Sequence, residues 1–345
     1  MCYKTGVPEL PSTAAVVIIG GGFAGAATAW ALRRAGVTDV VVLEREVALG
    51  RFASGRSAGL GRQLAEDDHT TALTVRGAQL LRELPGVWTA TGGILSFDDT
   101  ATADAYRERA ARFGVGVEIG DRASVLANWP VNDLKVARAL YVAGDGTIDV
   151  AALLRELLAG VRVELSAGVE RVEPRRVVTA RGAIDARVIV DASGAWAGQL
   201  TGGEELTSYK RHVFMLAGEV GASVPWLWHL GAGEMYLRGD GEGVLGSPCD
   251  AARCEPGHQD PDLVGEAHMR RRLEDVESPL ANAPITRRWA CQRAYTNDRK
   301  MRLGRDDTRP WLVWAAGLGG HGATAAPAVG EQVAAGVLEA LHSGQ

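Results

Sequence analysis

Very little in this sequence would hold a fold together through covalent or metal cross-links. Four cysteines, Cys2, Cys249, Cys254 and Cys291, are scattered over 345 residues, too few for a disulfide framework in a chain this long. The seven histidines show no HxH, HxxxH or HExxH spacing, and Cys249, Cys254 and His258 fall on what reads as one long loop, so no metal site is expected. The opening MCYKTGVPELPST lacks the apolar core of a secretory signal, which makes the cytoplasm the expected location. A strong charge of either sign is missing too. The net charge of −5 gives no general attraction to nucleic acid or anionic membrane. The basic run Arg270–Arg272 is followed at once by LEDVE, as on a solvated helix face. No internal repeat or low-complexity tract interrupts the chain. A composition of 46% hydrophobic and 23% charged residues is that of a globular protein with a sizeable core, and the length suits about two domains.

What is present is concentrated in Val16–Arg45, VVIIGGGFAGAATAWALRRAGVTDVVVLER. Val16–Ile19 is an apolar, β-branched strand, and the glycines after it stand as Gly20-x-Gly22-x-x-Gly25. Gly20 lets the chain turn tightly, Gly22 lets backbone approach a pyrophosphate, and Gly25 with Ala29 lets the next helix pack closely on the sheet. Phe23 and Ala24 open that helix, which is expected to run to Ala35 and stop at Gly36, with its positive end toward the phosphates. A second strand, Asp39–Leu43, ends at Glu44, nineteen residues past Gly25, where a carboxylate accepts from ribose hydroxyls and repels a 2′-phosphate. Dinucleotide binding other than NADP is the reading. Ala14–Leu32 is nineteen residues without a charge, the length of a membrane span. The short strand, the glycines and the immediate helix argue instead for a buried βαβ unit.

Leu49–Leu64, rich in Gly, Ser and Ala, reads as a loop folded round a ligand. Helices are expected at 66–84 and Thr102–Arg112, a strand at Gly92–Phe97, and a strand ending in a turn within Leu134–Asp149. Asp149 caps a helix whose Val150, Leu153, Leu154, Leu157 and Leu158 form one apolar face. Val161–Leu165 and Val169–Val172 are strands, a hairpin turns at Arg181-Gly182, and Arg187–Gly198 is a strand opening onto a small-residue turn. Open α/β sheets hold ligands at such strand ends. From Tyr209 to Asp298, short β segments around a helix near Gly265–Glu277 indicate a largely antiparallel sheet. Trp311–Ala316 is a buried strand, Gly317–Gly322 a glycine-rich turn, and the last helix carries Pro327 in its first turn. The fold class expected is α/β. A Rossmann-type, three-layer dinucleotide domain from 14–84, 145–205 and 300–342 interleaves with an antiparallel-sheet α+β substrate domain from 85–144 and 206–299.

The segments GGGFAGAATAWAL…VVVLERE, FASGRSAG, GDGTID, DASGAWA, EMYLR with GSP, WACQR and GLGGHGATAAPAVGE, in this order, resemble the D-amino-acid oxidase superfamily of FAD-dependent oxidoreductases over nearly the whole chain. The resemblance is to members such as D-arginine dehydrogenase, glycine oxidase and sarcosine oxidase. It implies FAD as cofactor and hydride transfer from an amine's α-carbon to flavin N5, giving an imine and then a keto acid. By the same resemblance Glu44 and Arg45 meet the adenosine ribose and its surroundings. Ser54, Arg56, Ser57 and Ala58 line the pyrophosphate-to-flavin stretch, Val169 contacts the adenine side, and Gly194 and Trp196 pack near the nucleotide. Gly319, Gly320, His321, Gly322 and Thr324 reach the flavin pyrimidine edge, where a helix N-terminus stabilises negative charge. Arg62 falls near the flavin face. Arg293 stands where members bind the substrate carboxylate, a role that suits a guanidinium fork. Tyr236 and Arg211 match residues that reach the same substrate, and His321 is a further active-site candidate.

Departures from the pattern refine the expectation. Cys291 lies two residues before Arg293 rather than at the position of the flavin-linking cysteine, so FAD is expected to be non-covalent. The oxidase lysine near Thr324 is absent, and Phe52 replaces a flavin-loop histidine. Gly92 and Gly93 stand where an arginine-preferring enzyme carries an acid, which disfavours a strongly cationic substrate. Phe52, Trp226, Trp228 and Met235 supply a candidate apolar pocket. The reading is oxidative deamination of a small or apolar α-amino acid, in the D form, with O2 or a quinone as electron acceptor. Secondary-amine or hydroxyacid oxidation and a non-catalytic flavin-binding subunit stand as alternatives.

Overall fold

The computed structural model describes residues 9–203 and 205–343. Cys2, with most of the opening segment, lies outside them. Five strands form a parallel core in the order β9-β2-β1-β12-β20: β1 (Thr13–Ile19), β2 (Val40–Leu43), β9 (Arg162–Glu164), β12 (Gly182–Asp191) and β20 (Leu312–Ala316). Numbered by sequence this is 3-2-1-4-5, the Rossmann arrangement. Period-two alternation decides what each strand buries. Val16 and Ile18 of β1 and Val40 and Val42 of β2 face one core cluster, while Val17, Ile19, Val41 and Leu43 face another. The antiparallel hairpin β10 (Val169–Glu173) and β11 (Arg176–Thr179) extends the sheet beside β12, and β19 (Arg302–Arg305) borders β20.

One face of the parallel sheet carries α1 (Phe23–Arg34), α2 (Asp68–Leu81), α5 (Val150–Leu158) and α7 (Gly322–Ser343). Their spacing is set by missing side chains. A Cβ on Gly25 would strike the Gly20 carbonyl, one on Gly77 the Thr324 carbonyl, and one on Gly330 the Ala27 carbonyl. Backbone therefore lies on backbone where α1, α2 and α7 meet. Asp149 caps α5 by accepting from Ala152 N at 2.8 Å, as its sequence position suggests. Pro327 differs from expectation. It is the sixth residue of α7, in the second turn, because the helix already begins at Gly322.

The second large sheet has nine strands: β5 (Gly93–Phe97), β6 (Glu118–Gly120), β7 (Arg138–Val142), β13 (Thr207–Leu216), β14 (Trp226–Leu230), β15 (Met235–Asp240), β16 (Gly243–Ser247), β17 (Ala252–Cys254) and β18 (Ile285–Tyr295). Only the β5–β14 pair is parallel. One face buries Ile94, Phe214, Leu216, Leu227, Met235, Leu237 and Val244 with Met269 and Leu273 of α6 (Leu263–Asp275). The other face holds Leu95, Val213, Met215, Trp228 and Tyr236, with Tyr106 of α3 (Thr100–Arg112), and looks toward the parallel sheet. Short α4 (Arg122–Leu126) caps one edge, and a three-stranded ribbon of β3 (Leu60–Gly61), β8 (Gly146–Ile148) and β4 (Trp88–Thr89) bridges the two sheets. Among the described residues no helix is long and apolar enough to cross a membrane.

Two expectations need correction here. Cys254 is not a loop residue but ends β17. Arg270 is not simply solvated: it donates to the carbonyls of Ala281 and Ala283, both at 2.7 Å, and so holds the chain that leaves α6.

At the seam between the sheets sits Asp145, fully buried. Its Oδ1 accepts from Gln63 N and Gln63 Nε2, each at 3.0 Å, while Oδ2 has no partner. Burial pushes this carboxyl up to about 7, against the pull of the Gln63 donors and of Arg62 and Arg82. The folded protein thus keeps a proton that the unfolded chain releases near pH 4, roughly its ordinary value. Stability should fall as pH rises between those two values and level off above the upper one. Asp145→Asn, which keeps the Oδ1 acceptor, should flatten that slope, and urea unfolding at pH 5 and pH 8 should show the variant gaining more on the parent at pH 8 than at pH 5. Gly77→Ala should cost on the order of 1–3 kcal/mol in the same assay, because α2 cannot keep its contact with α7.

Candidate active site

A single elongated cavity of about 740 Å³ runs between the carboxyl ends of the parallel strands and the inner face of the nine-stranded sheet. It starts beside Glu44, Arg45 and Val169, passes Gly20, Gly22, Phe23 and Ala24, and ends among Arg211, Trp228, Glu234, Tyr236 and Arg293. Gly20 has φ +104°, and a side chain there would collide with Ala192. At Gly22 a Cβ would lie 2.9 Å from Ser54 Oγ, which itself accepts from Phe23 N at 2.9 Å. Ser54 therefore occupies the donor-rich start of α1. Glu44 turns both oxygens onto backbone, accepting from Gly21 N at 3.0 Å and Glu46 N at 2.9 Å. Arg45 lies over the Trp196 ring at 3.7 Å and the Phe52 ring at 4.6 Å, making a flat wall at that end.

The turn between β20 and α7 lies beside the start of α1, since a Cβ on Gly322 would sit 3.5 Å from the Phe23 ring. Gly317, Gly319 and Gly320 all take positive φ, and a Cβ on Gly320 would sit 2.9 Å from Arg293 Nε. The turn can therefore lie flat against β18. Gly322 starts α7 with its N-terminus at the cavity. Thr324 Oγ1 donates to Leu60 O at 3.1 Å and accepts from Arg62 N at 3.2 Å, which pins β3 to α7. His321 Nε2 lies 2.9 Å from Glu66, which also pairs with Arg62 at 2.6 Å. Burial works to raise the Glu66 carboxyl, but Arg62 and His321 outweigh it and hold it well below the usual range. Arg62 in turn stacks over Trp228 at 4.1 Å, and its second terminal nitrogen has no partner.

The substrate end follows from strand alternation. Arg211, Tyr236 and Arg293 occupy cavity-facing positions of β13, β15 and β18, with Arg211 paired to Cys291 across the ladder and Tyr209 to Arg293. Arg211 is 7% exposed, and its Nε and one terminal nitrogen bond nothing. The acid after Cys249, Asp250, is turned to His212, 2.7 Å from Nδ1 and accepting from the backbone N at 2.9 Å. Arg293 has neither hydrogen bond nor ion pair among the described residues. Burial pushes the Tyr236 phenol up to about 12, although Arg293 pulls it the other way, so it keeps its proton. The same burial raises both neighbouring thiols, Cys249 to about 12.

Several sequence expectations do not survive. Arg56 leaves the cavity: it donates to the Gln259 and Ala290 carbonyls at 2.9 and 2.8 Å and contacts His258. Those carbonyls satisfy its fork, and Trp289 Nε1 holds Arg56 O at 3.0 Å. Gly25 is a packing position under Gly20 and does not line the cavity. The apolar pocket is not assembled. Met235 points to the far face, Trp226 donates to Gly146 O at 2.9 Å across Gly93, and Phe52 sits at the Arg45 end, leaving Trp228 alone. Gly92 and Gly93 do not line the cavity either, since Tyr141 and Trp226 cover them. Among the lining residues that went unnoticed in the sequence are Glu66, Tyr106 and Glu234. Of these three only Glu234 carried a signal, standing two residues before Tyr236.

Residues 15–335 match the family model described as FAD dependent oxidoreductase, DAO. Mitochondrial sarcosine dehydrogenase of Mus musculus is 29% identical over 222 residues, which are 55% of this chain but only 24% of that longer protein. Glycine oxidase of Bacillus licheniformis is 26% identical, with 92% of this chain and 91% of that protein aligned. Among solved structures, L-proline dehydrogenase from P. horikoshii superposes with a TM-score of 0.85 at 23% identity, covering 94% of this chain and 93% of that one, a likeness of fold.

The Thr324 contacts are testable without any ligand. Thr324→Val leaves the buried Arg62 N without an acceptor and should lower unfolding free energy by about 1–3 kcal/mol in a urea titration.

Proposed function

The chain belongs to the DAO family of FAD-dependent oxidoreductases, and on that premise we propose that it oxidises the Cα–N bond of an α-amino acid or its N-alkyl derivative. The observation that carries this reading is the pair of guanidinium groups, Arg211 and Arg293, that share one cavity wall with no carboxylate partner among the described residues. A buried cation without a counter-ion is costly, so the site calls for an anion, and a carboxylate suits the planar fork. The cavity fits FAD: side-chain-free backbone at Gly20 and Gly22, an acid at the end of β2, and a second helix N-terminus, that of α7, beside the first. When bound, FAD supplies the two-electron acceptor that takes hydride from the α-carbon, leaving an imine for water to hydrolyse.

The chain's own residues do the positioning. Glu44 accepts from ribose hydroxyls, and Ser54, Ser57 and Ala58 follow the pyrophosphate. Arg211 and Arg293 fix the substrate carboxylate while the Tyr236 hydroxyl donates to it, which points the α-carbon toward the Gly319–Gly320 turn. The positive end of α7 favours negative charge developing beside it. Cys249 and Cys291 stay protonated and weakly nucleophilic, in keeping with a non-covalent flavin. The D configuration, and O2 or a quinone as acceptor, belong to the same proposal. A small or apolar side chain is dropped from it, since the aromatic pocket it rested on is not assembled.

An anaerobic titration of the holoenzyme with D-, L- and N-methyl amino acids tests this through bleaching of the visible flavin band. Arg293→Ala and Arg211→Ala should each raise KM by roughly tenfold to a hundredfold, from loss of a charged hydrogen bond worth about 1.5–3 kcal/mol. Unchanged KM in both variants would remove the clamp.

A further inference from the structure

The inner face of the nine-stranded sheet carries one carboxylate into the cavity, Glu234. It immediately precedes β15 and lines the same cavity as Tyr236, which pairs with Ser247 of β16. In the next ladder Phe214 pairs with Gly246. That ladder ends there, since Cys249 lies beyond β16 at φ +53° and Lys210 already pairs with Ala252 of β17, but Cys249 feels the charges of both Glu234 and Arg211 and so lies near each.

Glu234 is held but not neutralised. Its carboxylate accepts from Trp228 Nε1 at 3.0 Å, and no cation among the described residues lies within ion-pair distance. Arg62, the guanidinium stacked on the same Trp228, is directed to Glu66 instead. The cavity wall is therefore polarised, with unpaired positive charge at Arg211 and Arg293 and unpaired negative charge at Glu234.

That polarity selects among substrates. The nitrogen on the reacting carbon must be unprotonated to release hydride from its neighbour, and a carboxylate in contact with it would hold it as an inert ammonium ion. A carboxylate is of use to a nitrogen that stays charged throughout. We propose that Glu234 forms a subsite for a second, cationic nitrogen on the substrate side chain, so that the preferred substrates are diamino acids held by the carboxylate at one end and the distal ammonium at the other. This rests on the amino-acid reading above, and it reverses the expectation from Gly92 and Gly93 that a cationic substrate is disfavoured.

The test compares kcat/KM of the holoenzyme for ornithine and lysine with norvaline and norleucine, their neutral counterparts, in each stereochemical series. The parent enzyme should favour the diamino acids by at least about tenfold. Glu234→Gln, whose amide oxygen can still accept from Trp228, should lose about 10- to 100-fold on the diamino acids, a loss at least tenfold larger than on the neutral pair. Preference for norvaline and norleucine in the parent, or a proportional loss on both pairs in the variant, would overturn the subsite while leaving the amino-acid reading intact. The parent comparison decides even if the variant fails to fold. Bleaching by none of the four would overturn the subsite, and the wider titration with D-, L- and N-methyl amino acids then shows whether the amino-acid reading falls with it.

Discussion

Close contact between bare backbone segments governs this molecule. Gly25 over Gly20, Gly77 against Thr324 and Gly330 against Ala27 allow α1, α2 and α7 to lie nearer to one another and to the sheet than any side chain would permit. That spacing brings the N-termini of α1 and α7 side by side at one cavity, where a Cβ on Gly322 would lie 3.5 Å from the Phe23 ring. Two positive helix ends facing a common space suit a ligand rich in phosphate at one side and able to carry negative charge at the other. The fold thus shapes the electrostatics before any polar side chain is considered.

The second sheet contributes chemistry through simple alternation. Residues of odd or even position on each strand go either to the α6 core or to the cavity, so Met235 and Leu237 pack while Glu234 and Tyr236 look inward. The two sheets are then tied at points that matter to the site. Gln63 grips Asp145, Thr324 bridges Leu60 and Arg62, and Arg56 binds β18 from the residue just before the cavity-lining Ser57. Arg293 is in the strand so held. The precision of the substrate wall is in this way borrowed from contacts outside it.

The βαβ unit was legible because strand, turn, helix and acid each leave a local mark, and Gly20, Gly22 and Glu44 stand where those marks put them. The cavity-lining of Arg211, Tyr236 and Arg293 was legible only through family resemblance. Nothing local distinguishes Arg293, which lines the cavity, from Arg288, which pairs with Glu266 on the outside. Arg56 shows the same limit in reverse: its loop borders the cavity, yet its long side chain finds carbonyls more than two hundred residues away in sequence. Met235 was misplaced because adjacent strand residues are equally apolar and only the register decides which face each one takes, whereas Trp226 shares the inner face with Trp228 but is drawn to Gly93 and Gly146. The burial of the Asp145 carboxyl has no sequence signature at all.

The packing of α7 also has a consequence in time. Ala27 and Gly330 touch, as do Gly77 and Thr324, so the cradle built from the first βαβ unit is roofed only when a segment from the far end of the sequence docks. Contacts of such long sequence separation form late and slowly, since the intervening loop must close first. Until then the alanine-rich flank of α1 has no partner. The flavin cradle is accordingly one of the last parts of the chain to become complete, and a cofactor that grips both walls acts as a latch on the finished fold.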